Sequence, residues 1–166
     1  MPRTAGVLVA PDFPAAAAGA LAESGAEAGV DLRCIRLPAD REARISAADL
    51  DIIEAAFYST EIYRDQYGRS FFSAVRKAPK LKWLQTFNVG IDNPIFSEIM
   101  QKGVRLSTAA GISAVPIAQT AITGLLMLSR GFPHWMAAQA RRKWEPLPID
   151  SGAPDLDGQT LCIVGL

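Results

Sequence analysis

Five short apolar segments, separated by helix-like segments, constrain the fold of this chain more than any other feature of its sequence. They are Gly6–Ala10, Asp31–Leu37, Ile52–Tyr58, Leu81–Phe87 and Val104–Thr108. Such segments, bounded by turn-forming residues, are typical of buried strands. Strands that alternate with helices pair in parallel, because a helix returns the chain to the edge at which the previous strand began. The sequence therefore predicts an α/β fold, a doubly wound parallel sheet of five strands.

Several residues mark where the connecting helices begin and end. Ser46 is placed to cap a short helical turn, and Ser70 is predicted to cap a helix that stops before Pro79. Pro94 favours the first turn of another helix, where its missing N–H costs nothing, and Gly103 suits the position just after that helix.

The pattern changes after Thr108, which predicts a domain boundary there. A long helix is predicted from Ser113 to about Arg130, and a second helix is predicted over Pro133–Lys143. The proline-rich segment Glu145–Asp157 predicts a loop, and Gln159–Leu166 predicts a strongly apolar strand.

The segment Leu106–Ser129 carries no charge and is long enough to cross a membrane. Its polar residues make a membrane span a poor interpretation, because unpaired polar groups are costly in hydrocarbon. The helix that begins at Ser113 is apolar on nearly every face, so it is predicted to be buried between protein surfaces. A dimer interface and the core helix of a monomer are the two interpretations. The dimer is favoured, because a monomer core would need more chain after the helix.

Charge and cysteine content argue against several classes of function. The chain has 17 Lys and Arg residues and 17 Asp and Glu residues, so we expect no nucleic-acid partner and no membrane partner. Cys34 and Cys162 lack zinc-ligand spacing and are predicted to be reduced core thiols of a cytoplasmic protein, with no metal site. His134, the only histidine, is interpreted as a packing or surface residue.

Three segments resemble one enzyme family in their order and spacing. They are Leu81–Asp92 (LKWLQTFNVGID), Gly103–Gly131 (GVRLSTAAGISAVPIAQTAITGLLMLSRG) and Leu156–Leu166 (LDGQTLCIVGL). Together they closely resemble the N-terminal portion of the D-isomer-specific 2-hydroxyacid dehydrogenases, a family that includes glyoxylate and hydroxypyruvate reductases. Over residues 1–58 the resemblance is limited to the fold.

The resemblance implies an organisation in two parts. Residues 1–108 would form a flavodoxin-like substrate-binding domain, and residues 109–166 would form a helical arm and the first strand of an NAD(P)-binding Rossmann domain. The arm would be Ser113–Lys143, through which the chain would form a homodimer. The glycine fingerprint G-x-G-x-x-G would begin at Gly165, and the chain would be truncated just after it begins.

The family's reaction is the interconversion of a 2-hydroxy acid and a 2-keto acid with NAD or NADP. The resemblance places the catalytic arginine, acid and histidine beyond Leu166, so it implies no catalytic residue in this chain, which alone is predicted to be inactive. The alternative function is a non-catalytic dimeric module that binds a carboxylate or acts as a scaffold.

Candidate ligand-binding residues follow two strands, at the edge where open α/β sheets bind ligands. From spacing alone, Asn88, Val89 and Gly90 form either a small nest of N–H groups for an anion or an ordinary turn. The resemblance implies that the amides of Val89 and Gly90 bind the substrate carboxylate. Tyr58 and Ser59 follow the third strand, and the resemblance implies that they face the substrate; a polar turn is the alternative.

Two further residues are candidates only through the resemblance. It implies that Ile117 contacts the nicotinamide end of the cofactor and that Gly165 is the first glycine of the cofactor-binding fingerprint. Tyr63, Arg64 and Tyr67 are interpreted as a solvated loop, with binding of an anionic substrate as the alternative.

Overall fold

The computed structural model describes residues 2–148 and 155–164. These residues fall into two compact units, Met1–Ala110 and Gly111–Leu166. The first unit contains the sheet, and the second contains two helices.

The described part of the first unit has five strands and five connecting helices. In chain order they are β1 (Arg3–Val9), α1 (Ala15–Glu27), β2 (Val30–Arg36), α2 (Ala47–Ile52), β3 (Ile53–Tyr58), α3 (Thr60–Arg64), α4 (Gly68–Lys77), β4 (Trp83–Thr86), α5 (Pro94–Gln101) and β5 (Arg105–Ser107).

The five strands form one sheet in the order β2-β1-β3-β4-β5. Every neighbouring pair is parallel. This is the doubly wound, flavodoxin-like order, with its topological switch point between β1 and β3. The fold class predicted from the alternation of apolar and helical segments is therefore confirmed.

The core lies along the central strands and the helices that cover them. Leu8, Ile53 and Leu84, one from each of β1, β3 and β4, are fully buried. Strands of a parallel sheet are covered on both faces, which is why these segments appear in the sequence as apolar runs. Phe71 of α4 and Phe96 of α5 complete the same core cluster.

Most of the helix signals in the sequence act as predicted. Ser46 caps α2, because its Oγ accepts a hydrogen bond from the Asp49 N–H at 3.1 Å. Pro94 is the first residue of α5, and the Asn93 side chain caps that helix. Gly103, just after α5, has a φ of 81°, a left-handed conformation that favours glycine.

The prediction that Ser70 caps a helix is wrong. The helix α4 begins two residues earlier, at Gly68, and Ser70 lies inside it. Its hydroxyl donates a 3.1 Å hydrogen bond to the Arg41 carbonyl oxygen, a distant partner that helix-start rules cannot anticipate.

The second unit contains α6 (Ala114–Ser129) and α7 (Phe132–Ala140). Gly131 separates them with a φ of 70°. The second helix ends three residues before the predicted Lys143. Within residues 2–148 and 155–164, no helix has both the length and the apolar character needed to span a bilayer.

The strand predicted over Gln159–Leu166 is not found in the described residues. Residues 159–164 have no regular secondary structure, and residues 165–166 lie outside the described ranges. A strand needs a neighbour for its backbone N–H and C=O groups, and the described part of the second unit offers no other strand. Cys162 is consequently exposed and is not the predicted core thiol, whereas Cys34 in β2 is partly buried.

Candidate functional site

The two groups of candidate substrate residues lie at neighbouring strand ends. Tyr58, the last residue of β3, is paired in register with Thr86, the last residue of β4. The Phe87 N–H continues the pairing by donating to the Tyr58 carbonyl oxygen at 2.9 Å. The segments that begin at Ser59 and at Asn88 therefore leave the sheet side by side, at its carboxyl edge.

A cavity of about 380 Å³ opens at this edge of the first unit. It is lined by Tyr58, Tyr63, Phe72, Asn88, Gly90, Asp92, Asn93, Ile95 and Phe96. Most of its wall is aromatic or apolar, and Asp92 is the only charged residue among those that line it. A few polar groups in an apolar wall are typical of sites for small molecules.

The turn that carries Asn88 is held by hydrogen bonds at its start. The buried Thr86 hydroxyl donates to Asn88 Oδ1 at 2.8 Å and accepts from the Asn88 backbone N–H at 3.1 Å. The Asn88 carbonyl oxygen accepts from the Ala109 N–H at 3.0 Å. Hydrogen bonds thus hold the Asn88 side chain and both of the peptide groups that flank its Cα.

The next two residues leave their N–H groups available. Within the described ranges, no acceptor takes a hydrogen bond from the backbone N–H of Val89 or Gly90. Val89 is 64% exposed, and Gly90 is exposed as well. Consecutive unpaired N–H groups beside a fixed turn can bind an anion through charge-assisted hydrogen bonds.

Asp92 places a carboxylate against this turn. A Cβ built on Gly90 would lie 3.2 Å from Asp92 Oδ2, so a side chain at position 90 would crowd the carboxylate. The absence of a side chain on Gly90 therefore permits the close approach. The negative charge of Asp92 opposes binding of an anion at the same place.

Tyr58 serves packing as well as the cavity wall. Its ring centroid lies 4.8 Å from that of Phe72, 5.2 Å from Phe71 and 5.4 Å from Phe87. Burial, and to a smaller extent the neighbouring Tyr63, raise the pKa of Tyr58 above its ordinary value, so the neutral phenol is favoured. A neutral phenol can donate a hydrogen bond to a carboxylate or a carbonyl oxygen.

Ser59 is buried and does not line the cavity. It precedes α3 without capping it, and its Oγ has no well-oriented hydrogen-bond partner among the described residues. The Glu61 carboxylate is nevertheless close enough that the Ser59 hydroxyl lowers the pKa of Glu61. The structure thus brings Tyr58, Asn88 and Gly90 together around the cavity and leaves Ser59 and Val89 outside its lining.

Sequence reasoning missed part of this wall. The segment interpreted as a solvated loop contains the short helix α3, from which Tyr63 lines the cavity with its ring 5.6 Å from that of Phe87. The order Ser59-Thr60-Glu61, a polar residue followed by an acid, is typical of a helix start and was the available signal. Phe72 had no signal, because the residues that it meets are distant in the sequence.

The two cofactor candidates do not complete a dinucleotide site in the described residues. Ile117 lies on α6 and is 65% exposed, which offers an apolar surface but no group for a phosphate. Gly165 lies outside the described residues. Residues 159–164 form no strand leading into a glycine turn, the arrangement that holds a pyrophosphate. The described residues by themselves therefore do not fit the cofactor.

The described residues also contain no group of three or more His, Cys, Asp or Glu side chains placed to hold a metal ion. The chain's only histidine, His134, lies on α7, where its Nε2 is 2.9 Å from the Glu145 carbonyl oxygen.

The fold and the cavity define a class of protein, an α/β domain with a cavity at the carboxyl edge of its parallel sheet. Two curated relatives make the comparison more specific. The chain is 26% identical to a D-3-phosphoglycerate dehydrogenase of Methanocaldococcus jannaschii over 123 residues, 74% of this chain and 21% of that protein. It is 27% identical to a formate dehydrogenase of Candida boidinii over 128 residues, 76% of this chain and 35% of that protein. No family model matches the sequence.

The solved structures agree on the fold. An NADPH-dependent glyoxylate/hydroxypyruvate reductase of Sinorhizobium meliloti, crystallised with citrate, superposes with a TM-score of 0.53 at 20% identity. The match covers 94% of this chain and 44% of the reductase. The resemblance found in the sequence is therefore confirmed: the relatives and structural neighbours of this chain are D-2-hydroxyacid dehydrogenases, and its parallel α/β sheet shares their fold. The chain spans well under half the length of the curated relatives that it matches.

Proposed function

We propose that this chain is the substrate-binding part of an NAD- or NADP-dependent dehydrogenase that interconverts a 2-hydroxy acid and a 2-keto acid, as glyoxylate and hydroxypyruvate reductases do. The observation that carries the proposal is the pair of available N–H groups at Val89 and Gly90, beside a cavity at the carboxyl edge of the sheet. The dehydrogenase relatives support the proposed reaction.

The chain's own residues would bind and orient the acid. The N–H groups of Val89 and Gly90 would donate to the two oxygens of the substrate carboxylate, while the turn stays fixed through Thr86 and Asn88. Tyr58 would contribute its ring to the cavity wall, while its hydroxyl lies near Gly68 at the start of α4, where a built Cβ would be 3.5 Å from it. The hydride would come from NADH or NADPH when the cofactor is bound.

By resemblance, the catalytic arginine, acid and histidine map beyond Leu166. We therefore expect the 166-residue chain to bind the acid without reducing it. Incubation with glyoxylate or hydroxypyruvate and either NADH or NADPH should leave the nicotinamide absorbance unchanged. Turnover by a preparation of confirmed mass would contradict this placement of the catalytic groups.

Binding of the acid can be measured on the chain itself. Glyoxylate and oxalate, added at constant ionic strength, are expected to shift the backbone amide NMR signals of Val89 and Gly90 in a saturable manner. The variant Val89→Pro removes one of the two donors and should abolish the saturation, because proline has no backbone N–H. Val89→Ala keeps the donor and is the matched control. Saturation that survives in the proline variant, or shifts confined to other residues, would refute the site.

We also propose that α6 and α7, which make up most of the Ser113–Lys143 arm, form a homodimer interface. The residues of α6 are mostly exposed in the single chain, and none is buried. Its exposed apolar side chains are Val115, Ile117, Ile122, Leu126 and Leu128. An apolar surface of this extent marks a contact with another protein surface. A second copy of the chain is the occupant that the family resemblance described for this arm suggests.

A further inference from the structure

A cleft of about 250 Å³ lies away from the cavity at the strand ends and has a different chemistry. It opens between the turn that follows β2 and the helix α4, and none of its lining residues lines the other cavity. Four basic side chains border it, those of Arg41, Arg44, Arg69 and Lys77, against one carboxylate, that of Glu42.

The turn on one side of the cleft is fastened to α4. The Tyr67 hydroxyl donates to the Ala39 carbonyl oxygen at 3.0 Å, and the Ser70 hydroxyl donates to the Arg41 carbonyl oxygen at 3.1 Å. Within the turn, the Glu42 N–H donates to Asp40 Oδ1 at 2.9 Å. The backbone that carries Arg41 is therefore held in place before any ligand arrives.

The helix supplies the opposite wall through a regular spacing. Arg69, Ser73 and Lys77 follow one another at intervals of four residues, so they share one side of α4. Arg41 and Arg44 face them from the turn side of the cleft. The wall thus alternates cations with a hydroxyl group, all of which can donate hydrogen bonds.

None of these four cations forms an ion pair with the described residues, although the Arg41 guanidinium lies 5.3 Å from the centre of the Tyr67 ring and interacts electrostatically with the Asp65 carboxylate. Nine others form ion pairs: Arg3, Arg33, Arg64, Arg76, Lys80, Lys82, Lys102, Arg130 and Arg141. Over residues 2–148 and 155–164, no Asp or Glu oxygen forms an ion pair with Arg41, Arg44, Arg69 or Lys77. Of the eight Lys and Arg residues that form no ion pair with the described part of the chain, four therefore border this one cleft.

We propose that this cleft is a binding site for a small phosphorylated molecule, a compact anion with at least two negative charges. The planar guanidinium groups of Arg41, Arg44 and Arg69 match the geometry of phosphate oxygens, and Lys77 adds a point charge. The Ser73 hydroxyl supplies a neutral donor. Leu37, Ile45 and Leu50 form an apolar part of the lining, which suits the carbon portion of such a molecule.

Inorganic pyrophosphate is the probe, titrated into the 166-residue chain by calorimetry at constant ionic strength. We expect saturable binding of one pyrophosphate, about tenfold tighter than that of inorganic phosphate or citrate, because phosphoryl oxygens with several charges match several guanidinium groups at once. The double variant Arg44→Gln/Arg69→Gln should weaken this binding by about tenfold or more. The matched control, Lys102→Gln/Arg105→Gln, removes two exposed basic residues of the first unit that do not line the cleft, and it should change the affinity by less than about twofold.

Amide NMR shifts locate the bound anion. Pyrophosphate should move the signals of Arg44, Ser73 and Lys77 and leave those of Val89 and Gly90 in place. Equal weakening in the two double variants would show non-specific screening and overturn the proposal. Saturable shifts at Val89 and Gly90 in place of the cleft, tighter binding of citrate than of pyrophosphate, or no saturable binding at all would also overturn it.

Discussion

Thr86 and Asn88 bind each other through two hydrogen bonds, one in each direction. The Thr86 hydroxyl donates to Asn88 Oδ1 and accepts from the Asn88 backbone N–H. Thr86 is completely buried at the end of β4, so this exchange connects the rigid sheet to the turn that carries Val89 and Gly90. The orientation of the two available N–H groups depends on it.

The substitution Thr86→Val removes both hydrogen bonds and keeps the side-chain shape. We expect a loss of about 1–2 kcal/mol in the free energy of unfolding, because Asn88 must then find water for its polar groups. We also expect the amide signals of Val89 and Gly90 to move and carboxylate binding to weaken. Thr86→Ser keeps the hydroxyl, so it should retain those signals even if it loses stability. Identical spectra for the two variants would contradict the role of the hydroxyl.

Asp92 stands against Gly90 and opposes an anion at the candidate site. Asp92→Asn should tighten binding of oxalate or glyoxylate by about two- to fivefold at low salt, since it removes a like charge at short range. The gain should shrink at high salt, where surface charges are screened. Calorimetric titrations at two ionic strengths measure both effects. Weaker binding in the variant would show that Asp92 holds the turn in its binding conformation.

Two glycines of α1 are expected to respond to alanine in opposite directions. A Cβ at Gly25 would lie 2.7 Å from the Val30 carbonyl oxygen and 2.8 Å from Leu32 Cβ. Gly25→Ala should therefore lower the free energy of unfolding by about 1–3 kcal/mol. A Cβ at Gly19 would meet no atom within 4 Å, and Gly19→Ala should stabilise the helix by about 0.5–1 kcal/mol. Urea unfolding of both variants measures these values. Destabilisation by Gly19→Ala would contradict the open surface at that position.

Glu54 is paired with two cations at the start of β3. Arg3 and Lys82 both bind its carboxylate, and their hydrogen bonds, that of Arg3 first, lower the pKa of Glu54. The folded chain therefore binds a proton at Glu54 less readily than the unfolded chain does. The stabilisation is present above the ordinary glutamate pKa of about 4.3 and is lost as the pH falls through the lower pKa of the folded state.

Glu54→Gln should accordingly lower the free energy of unfolding by about 1 kcal/mol near pH 7 and by much less near pH 3. Urea unfolding of the chain and the variant at both pH values measures the difference. Glu23→Gln is the control, because Glu23 is exposed on α1 and forms no ion pair with the described residues. A cost at Glu54 that does not change with pH would rule out the ion pairs as its source.

The proposed dimer is tested by a charge on α6. Leu128 is 72% exposed in the single chain, so Leu128→Asp should fold normally but should bury an unpaired charge at the interface. We expect a weakening of dimerisation by about tenfold or more, measured by sedimentation velocity. Met100→Asp, on α5 of the first unit, is a matched control at a position that is 39% exposed. Unchanged dimerisation in the Leu128 variant, or a wild-type chain that is monomeric throughout, would contradict the interface.

Local patterns predicted the elements of the first unit well. The apolar runs around Leu8, Ile53 and Leu84 predicted strands, because a parallel sheet buries both of its faces. Ser46, Pro94 and Gly103 marked helix ends through their own hydrogen bonds and backbone preferences. Ser70 misled because the same hydroxyl that can cap a helix instead binds the Arg41 carbonyl, 29 residues away.

The site was predicted only in part, because local patterns identify turns but not contacts between distant residues. Asn88, Val89 and Gly90 stand out as a turn at a strand end, and the resemblance to the dehydrogenases gave them a role. The approach of Asp92 to Gly90 and the exclusion of Ser59 from the lining have no signal in the sequence, and Tyr63 was only an alternative candidate for the wall that it lines. Each depends on how a side chain is placed after the strands have paired.

By itself the sequence determined the five strands, their parallel pairing and the turn at Asn88, because hydrophobic periodicity and turn chemistry act between residues that are close along the chain. Only the tertiary structure decided that the ends of β3 and β4 meet at Tyr58 and Thr86, and that four cations without ion pairs to the described residues gather between α4 and the turn after β2. It also left residues 159–164 without a strand, because an apolar segment becomes a strand only where another strand is present to pair with it.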